Sequence, residues 1–297
     1  MQNMRELRND LGQTFGTKKA KKAIMSVTEN AISPDKSLRA MANNGKGMKL
    51  SGVDAAMLAN IGDAAKNMAT REDLAKAADD SKPRPKANAN AEDIKDVYTI
   101  ANLFGHDVFG QIPAKDWQDS IQKAKKEVKT PSRFVSFRVE NAASNVEKLK
   151  ILRWMLFALT VLGASTAKRS TTLLPRQDEV RKLIYPMPEM VYDNFKRRFS
   201  DGAGTMSKYH RDLLITHLCA MACLVDNYET DMWDLKEDLK IETKAMTQYF
   251  MEIGARIGAL TKVEATRKGL ESAVAAQHKM AKLKLPLAFP KVSFGRK

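Results

Sequence analysis

Cysteine is almost absent from this chain of 297 residues: Cys219 and Cys223 are the two it has. Their helical spacing makes them poor disulfide partners, so no disulfide framework is expected and the composition suits a reducing compartment. Long apolar runs are lacking as well. The longest, Ile151 to Gly163, is interrupted by Arg153 and is too short for the roughly 30 Å of hydrocarbon that a membrane span crosses. The N-terminus shows no apolar stretch of the secretory type. A soluble intracellular protein is therefore expected. Between Lys36 and Asn90 there is no aromatic residue, and a segment that polar cannot offset its conformational entropy by burial.

Signatures of catalysis are missing too. Gly45-Lys-Gly47 lacks the spacing of a phosphate loop and Gly202-Ala-Gly204 does not continue into a dinucleotide fingerprint. Neither the nucleophile-elbow pattern nor the paired-histidine zinc pattern is found, and no cofactor is implied. His217, Cys219 and Cys223 lie close together, but a structural zinc site needs four ligands and no second Cys/His pair is near. They read better as part of a buried core helix. Trp117, Trp154 and Trp233 sit within helical apolar patterns and read as core, and the 16 methionines read as packing.

What is abundant is positive charge. Lys and Arg number 50 against 35 Asp and Glu, a net charge of +15, which favours polyanionic partners. The excess is uneven. Residues 1–50 carry 10 basic and 4 acidic groups, 151–200 carry 9 and 4, and 262–297 carry 9 and 2, whereas 201–261 are net acidic with 6 and 10. The field thus sits on an N-terminal arm, a mid-chain block and the C-terminal end.

Residues 1–90 read as a basic, flexible arm, closing with the linker-like Lys82-Pro-Arg-Pro-Lys-Ala-Asn-Ala-Asn90. Leu58, Ile61, Ala65 and Met68 allow a short helix within it. After residue 91 the pattern is helical: Asp93 to Phe104, then Pro113 to Val128. Phe134 to Val139 alternates and predicts a strand. Ser144-Asn-Val-Glu147 reads as a capping box opening a helix whose Leu149, Leu152, Leu156 and Leu159 form one row, with Trp154, Phe157 and Val161 on its other faces. This helix should be central. Two short helices follow, Pro175 to Tyr185 and Pro188 to Phe199, the order of a helix-turn-helix unit.

The same order recurs in Ser207 to Asp226, Thr230 to Leu239 and Glu242 to Ile257, with Met246, Phe250, Ile253 and Ile257 inward. Gly258 to Lys262 and Met280 to Leu287 can pair as a wing. The expected fold is mainly α (α+β): a tandem winged-helix domain with small β wings, its units spanning 91–205 and 206–297 after the arm.

Three segments carry a resemblance. Phe15-Gly-Thr-Lys-Lys-Ala-Lys-Lys-Ala-Ile24, Asp96-Val-Tyr-Thr-Ile-Ala-Asn-Leu-Phe104 and Lys284-Leu-Pro-Leu-Ala-Phe-Pro290, in this order and spacing, resemble the family of the forty-nine-kilodalton subunit of RNA polymerase I in a fungal form. The resemblance implies a non-catalytic polymerase subunit in the nucleus and nucleolus. Its tandem winged-helix domain, similar to that of TFIIE, would bind double-stranded DNA, and its linker would run along the polymerase core subunits. The family also has a TFIIF-like dimerisation module before the linker. This chain begins at the linker, so pairing with the second small subunit is not expected of it.

Candidate DNA contacts are Lys168 and Arg169 after the first long helix, Lys196, Arg197 and Arg198 at the end of the third, and Lys262, Arg267, Lys268, Lys279, Lys282 and Lys284 around the wing. Glu242 and Glu252 beside Lys244 and Arg256 argue against deep major-groove reading by the second unit's last helix. Sequence-independent phosphate contact is the better expectation. Phe15 with Lys18, Lys19, Lys21 and Lys22 reads as a solvated cluster, an import signal, or a contact to phosphate or to an acidic polymerase surface. The rival reading is a nuclear helical scaffold that docks on protein without binding DNA.

Overall fold

The computed structural model describes residues 11–12, 14–30, 71–88, 90–105, 107–122, 128–168, 171–183 and 187–290. Residues 1–72 and 73–297 are two compact units, each described by itself. In the first, helix α1 (Lys18–Asn30) begins where the Thr17 hydroxyl accepts from the Ala20 amide at 3.4 Å. The helix expected around Leu58 to Met68 lies outside the described residues.

Helix α2 (Arg71–Asp80) precedes Lys82 to Asn88. That stretch has the composition of a linker, yet it is laid against the rest of the second unit, to which it belongs: Pro85 is buried, the Thr216 hydroxyl donates to the Pro83 carbonyl at 2.9 Å, and the Asn88 amide donates to the Val97 carbonyl at 2.9 Å. The single helix expected over Asp93 to Phe104 is divided into a 3-10 turn (Ile94–Asp96) and α3 (Ile100–Phe104). The break is tertiary in origin. Val97 and Tyr98 turn inward, and the Tyr98 hydroxyl donates to the Ile253 carbonyl at 2.8 Å, which leaves Thr99 extended as the cap of α3. Helix α4 (Lys115–Gln122) follows within the span expected from Pro113.

Residues 133–139 are not a strand but helix α5 (Arg133–Val139). Alternation would bury one of every two residues. Instead Phe134, Val135 and Val139 are buried and Phe137 is exposed, a helical face. The Ser132 hydroxyl accepts from Val135 at 3.1 Å. The Asp238 carboxylate, about a hundred residues on, accepts from the Arg133 and Phe134 amides at 2.8 and 3.0 Å. Local pattern could not show that carboxylate. Helix α6 (Val146–Ala164) is the enclosed central helix, capped by Asn145 rather than Ser144: Asn145 Oδ1 accepts from the Lys148 amide at 3.1 Å. Its Trp154 meets Phe104 edge-on with ring centres 5.5 Å apart, and Phe157 meets Phe195 at 5.4 Å.

The first sheet is antiparallel in the order β1 (Thr166–Lys168), β2 (Thr171–Leu173), β3 (Thr205–Met206). Between β2 and β3 come α7 (Gln177–Leu183) and α8 (Glu189–Phe199), whose Val191, Phe195 and Phe199 face the core. Between these two helices the sequence Tyr185-Pro-Met-Pro188 predicts a turn, of which Tyr185 and Pro186 lie outside the described residues. Helix α9 (Lys208–Val225) is capped by Ser207. Then come β4 (Glu229–Asp231), α10 (Met232–Leu239), α11 (Thr243–Glu252), β5 (Arg256–Ala259) and β6 (Lys279–Lys282).

The second sheet has the order β4-β6-β5, with Ile257 opposite Ala281. The wing pairing read from sequence therefore exists, shifted toward the N-terminus. Helix α11 stops at Glu252 because Gly254 adopts φ 84°, a left-handed turn that favours glycine. Ile257 consequently lies half-buried in a strand and not on a helix. The connection between β5 and β6 is folded into α12 (Lys262–Arg267) and α13 (Ser272–Ala275). The second unit is thus mainly α with two small three-stranded sheets.

Candidate nucleic-acid interface

The surface is built from cations, so the deciding question is which of them the fold has already used. Arg198, in the last turn of α8, donates to the carbonyl oxygens of Leu103 and, at 3.2 Å, Asn102. Those are end carbonyls of α3, left without intrahelical partners. Its Nη2 also lies 3.1 Å from His217 Nε2. A guanidinium only donates, so Nε2 is the acceptor and Nδ1–H donates to Leu213 at 2.7 Å. Burial and the adjacent Arg198 charge hold His217 neutral, its pKa down at about 3. Arg198 is a structural residue of the core edge.

Lys268 and Lys282 are engaged as well. Lys268 Nζ reaches Asp231 Oδ2 at 2.5 Å, and His278 Nδ1 reaches the same oxygen at 2.8 Å. Burial works to raise the pKa of Asp231, but hydrogen bonds from Lys268 and His278 outweigh it and the carboxyl lies below its ordinary value. Lys282 bridges Glu229 at 3.2 Å and Glu264 at 3.4 Å. Glu264 is held down to about 2, chiefly by hydrogen bonds from the Thr261 side chain and backbone, the capping box of α12. Phosphate would have to displace these carboxylates.

The remaining cations divide between the two sheets. At the second, Lys262 opens α12 and is exposed, Lys279 is half-buried on β6, and Lys284 is exposed beyond it. The Arg267 side chain lies outside the described residues. At the first, Lys168 ends β1 and is exposed, Arg197 is exposed on α8, and Lys196 is half-buried. A Cβ on Gly204 would come within 3.3 Å of the Lys196 chain. Arg169 lies outside the described residues.

Two cations that sequence reasoning passed over join this group. Lys208 and Arg211 are exposed in the first turn of α9, and with Thr171 and Thr172 of the hairpin they line a cleft of about 350 Å³. Asp212 and Tyr249 also line it, joined by a 2.6 Å hydrogen bond from the tyrosine hydroxyl to the carboxylate. The available signal was the i, i+3 spacing at a helix start with no acid in its first turn. The net acidic count for 201–261 concealed it.

Aromatic platforms for bases are not offered by the tryptophans. Trp233 has His278 stacked at 4.8 Å and Lys236 Nζ 3.9 Å from its ring centre. Arg153 lies 4.5 Å over Trp117. Cys219 and Cys223 are fully buried, and burial pushes the Cys223 thiol up to about 12. Among the described residues no group of three or more His, Cys, Asp or Glu is arranged to hold a metal ion. Lys18, Lys19, Lys21 and Lys22 on α1 and Phe15 ahead of it are all exposed.

Comparison with known proteins supplies the context. Residues 1–290 match the family described as A49-like RNA polymerase I associated factor. The chain is 30% identical over 298 aligned residues to the DNA-directed RNA polymerase I subunit rpa49 of Schizosaccharomyces pombe, covering 98% of this chain and 67% of that protein. It is 25% identical over 312 residues to RPA49 of Saccharomyces cerevisiae, covering 97% and 68%.

Proposed function

The chain belongs to the A49-like RNA polymerase I associated factor family, and on that premise we propose that it is a non-catalytic, DNA-binding accessory subunit of RNA polymerase I. It acts in the nucleus and nucleolus, where it supports initiation and elongation on ribosomal RNA genes. Residues 91–205 and 206–297 serve as a tandem winged-helix pair that holds duplex DNA by its phosphates, without reading bases. The basic arm, with Phe15 and the lysines of α1, contacts the polymerase core, and catalysis belongs to other subunits.

The observation that carries this reading is the distribution of cations the fold has not used. Lys168, Lys208 and Arg211 lie on or beside the first sheet, Arg197 is exposed on α8, and Lys262, Lys279 and Lys284 lie on or next to the strands of the second. Arg198, Lys268 and Lys282 are left out because their donors are engaged within the chain. The exposed face of α11 presents Lys244, Gln248 and Glu242, which suits backbone contact better than an array reading base edges.

The test is fluorescence anisotropy of the full chain with unrelated duplexes across a salt series. Binding that ignores sequence and falls steeply with salt is expected, each phosphate contact adding about −0.9 to the logarithmic slope. Replacing Lys279 and Lys284 by Ala should weaken all duplexes equally. Absence of binding at low salt, with polymerase association retained, would establish the protein-docking scaffold instead.

A further inference from the structure

Lys82-Pro-Arg-Pro85 crosses the C-terminal end of α11 and meets the chain's other end there. Lys82 Nζ lies 3.3 Å from both Asp79 Oδ1 and Glu252 Oε2 and donates to the Pro290 carbonyl at 3.1 Å. Arg84 pairs with Asp79 and donates to the Glu252 carbonyl at 3.3 Å. Its guanidinium lies 4.3 Å over the Phe289 ring. The tail is pinned beside them: the Ala288 amide donates to Gly254 at 3.4 Å, and Arg256 donates to Pro286 at 3.2 Å. Gly254 admits no Cβ without crowding Phe289 at 3.2 Å and Leu287 at 3.3 Å.

Both cations therefore touch α11 and the tail at once. Pro83 and Pro85 have no amide hydrogen to give a ladder, so the strap is fastened by side-chain charge and by carbonyl acceptors. The side chains of Lys82, Asp79 and Glu252 are 21 to 33% exposed, open enough for dissolved ions to screen them, while Arg84 at 13% is more sheltered.

We propose that Lys82 and Arg84, with Asp79 and Glu252, form a charge latch that fastens strap and tail to the end of α11 as one piece and releases them together. Release would free two cations, Lys82 and Arg84, beside the already exposed Lys86, for an external anion, so the latch decides how much of this basic strap is available.

The test is hydrogen–deuterium exchange of the full chain, comparing wild type with Glu252→Gln, Glu252→Lys and the control Glu242→Lys. The control makes the same charge change at the exposed cap of the same helix. Loss of the Glu252 carboxylate from its ion pair with Lys82, with a like charge in its place, should speed exchange about fivefold in residues 82–88 and 284–290 together in Glu252→Lys. A smaller joint rise is expected in Glu252→Gln and none in the control, with α9 protected throughout. Raising sodium chloride should loosen both ends of the wild type, a readout that stands even if Glu252→Lys does not fold. Loosening of one end alone, or two ends as protected in Glu252→Gln and in high salt as in the wild type at low salt, would overturn the latch. None of these outcomes depends on DNA binding.

Discussion

Replacing Arg138 by Met removes a cation shared by two carboxylates at the join of α5 with the helices that follow. Arg138 Nε donates to both oxygens of Asp226, at 2.7 and 3.0 Å, and Nη1 donates to Asp234 at 2.9 Å. The guanidinium lies 3.7 Å over Phe134 and Nη1 also donates to the Phe134 carbonyl at 3.1 Å. Side-chain exposures are 12, 16 and 18% for Arg138, Asp226 and Asp234, so solvent screens the trio little. Removing one partner of a buried pair costs about 3–5 kcal/mol because the other charge is left uncompensated. The residual exposure puts the expected loss near the lower end, about 3 kcal/mol. In a unit of this size that is a fall in Tm of about 6–12 °C.

The loss has a pH signature. Burial already pushes the Asp226 carboxyl above its ordinary value, and the Arg138 charge and hydrogen bond pull against that rise. Without Arg138 the folded pKa rises further. A carboxyl whose folded pKa exceeds its unfolded one gains relative stability at low pH and loses it as pH rises through the folded value. The deficit of the variant should therefore shrink as pH is lowered through the raised folded pKa of Asp226. Urea unfolding followed by tryptophan fluorescence measures it, with an unchanged m-value expected. Adding Asp226→Asn and Asp234→Asn should restore most of the loss. A deficit below about 1 kcal/mol, the range of exposed pairs, or one independent of pH, would refute the reasoning.

Asp238→Ala should cost about 1–2 kcal/mol by urea unfolding, since it uncaps α5 and strands the Ser132 hydroxyl and two amides; Asp238→Asn should cost less. Lys208→Ala with Arg211→Ala should lower the magnitude of the logarithmic salt slope for duplex binding by about 1.8 and leave Tm unchanged, whereas Arg198→Ala should lower Tm. His217 has a folded pKa of about 3 against an ordinary 6.5. A base whose folded pKa is depressed contributes stability that is present above its unfolded pKa and lost as pH falls. The chain should therefore lose about 1.4 kcal/mol per pH unit below about pH 6, and His217→Gln should flatten that dependence in the same unfolding assay.

The helices and their inward rows were legible because burial imposes a 3.6-residue period that any long amphipathic segment displays. Val191, Phe195 and Phe199 show it, as does the row of α6. The β5–β6 wing was legible as two short runs around a basic connection. Residues 133–139 were misread as a strand because a seven-residue helix holds too few turns to show its period. Its first amides are satisfied by Asp238, roughly a hundred residues away. Lys82 to Asn88 read as linker because its composition is that of one, and of the two carboxylates that hold it, Asp79 and Glu252, the second lies far along the chain.

The sequence by itself determined the helical class, the segregation of positive charge, the poverty in disulfides and the residues that carry the family likeness. Only the tertiary structure decided which cations remain available. Arg198 caps a helix that ends ninety-odd residues earlier, Lys268 is paired with Asp231, and Lys208 and Arg211 stand open beside the first hairpin. Charge is a property of the residue, but its availability depends on which carboxylate or carbonyl the fold brings within about 3 Å, and local spacing does not encode that.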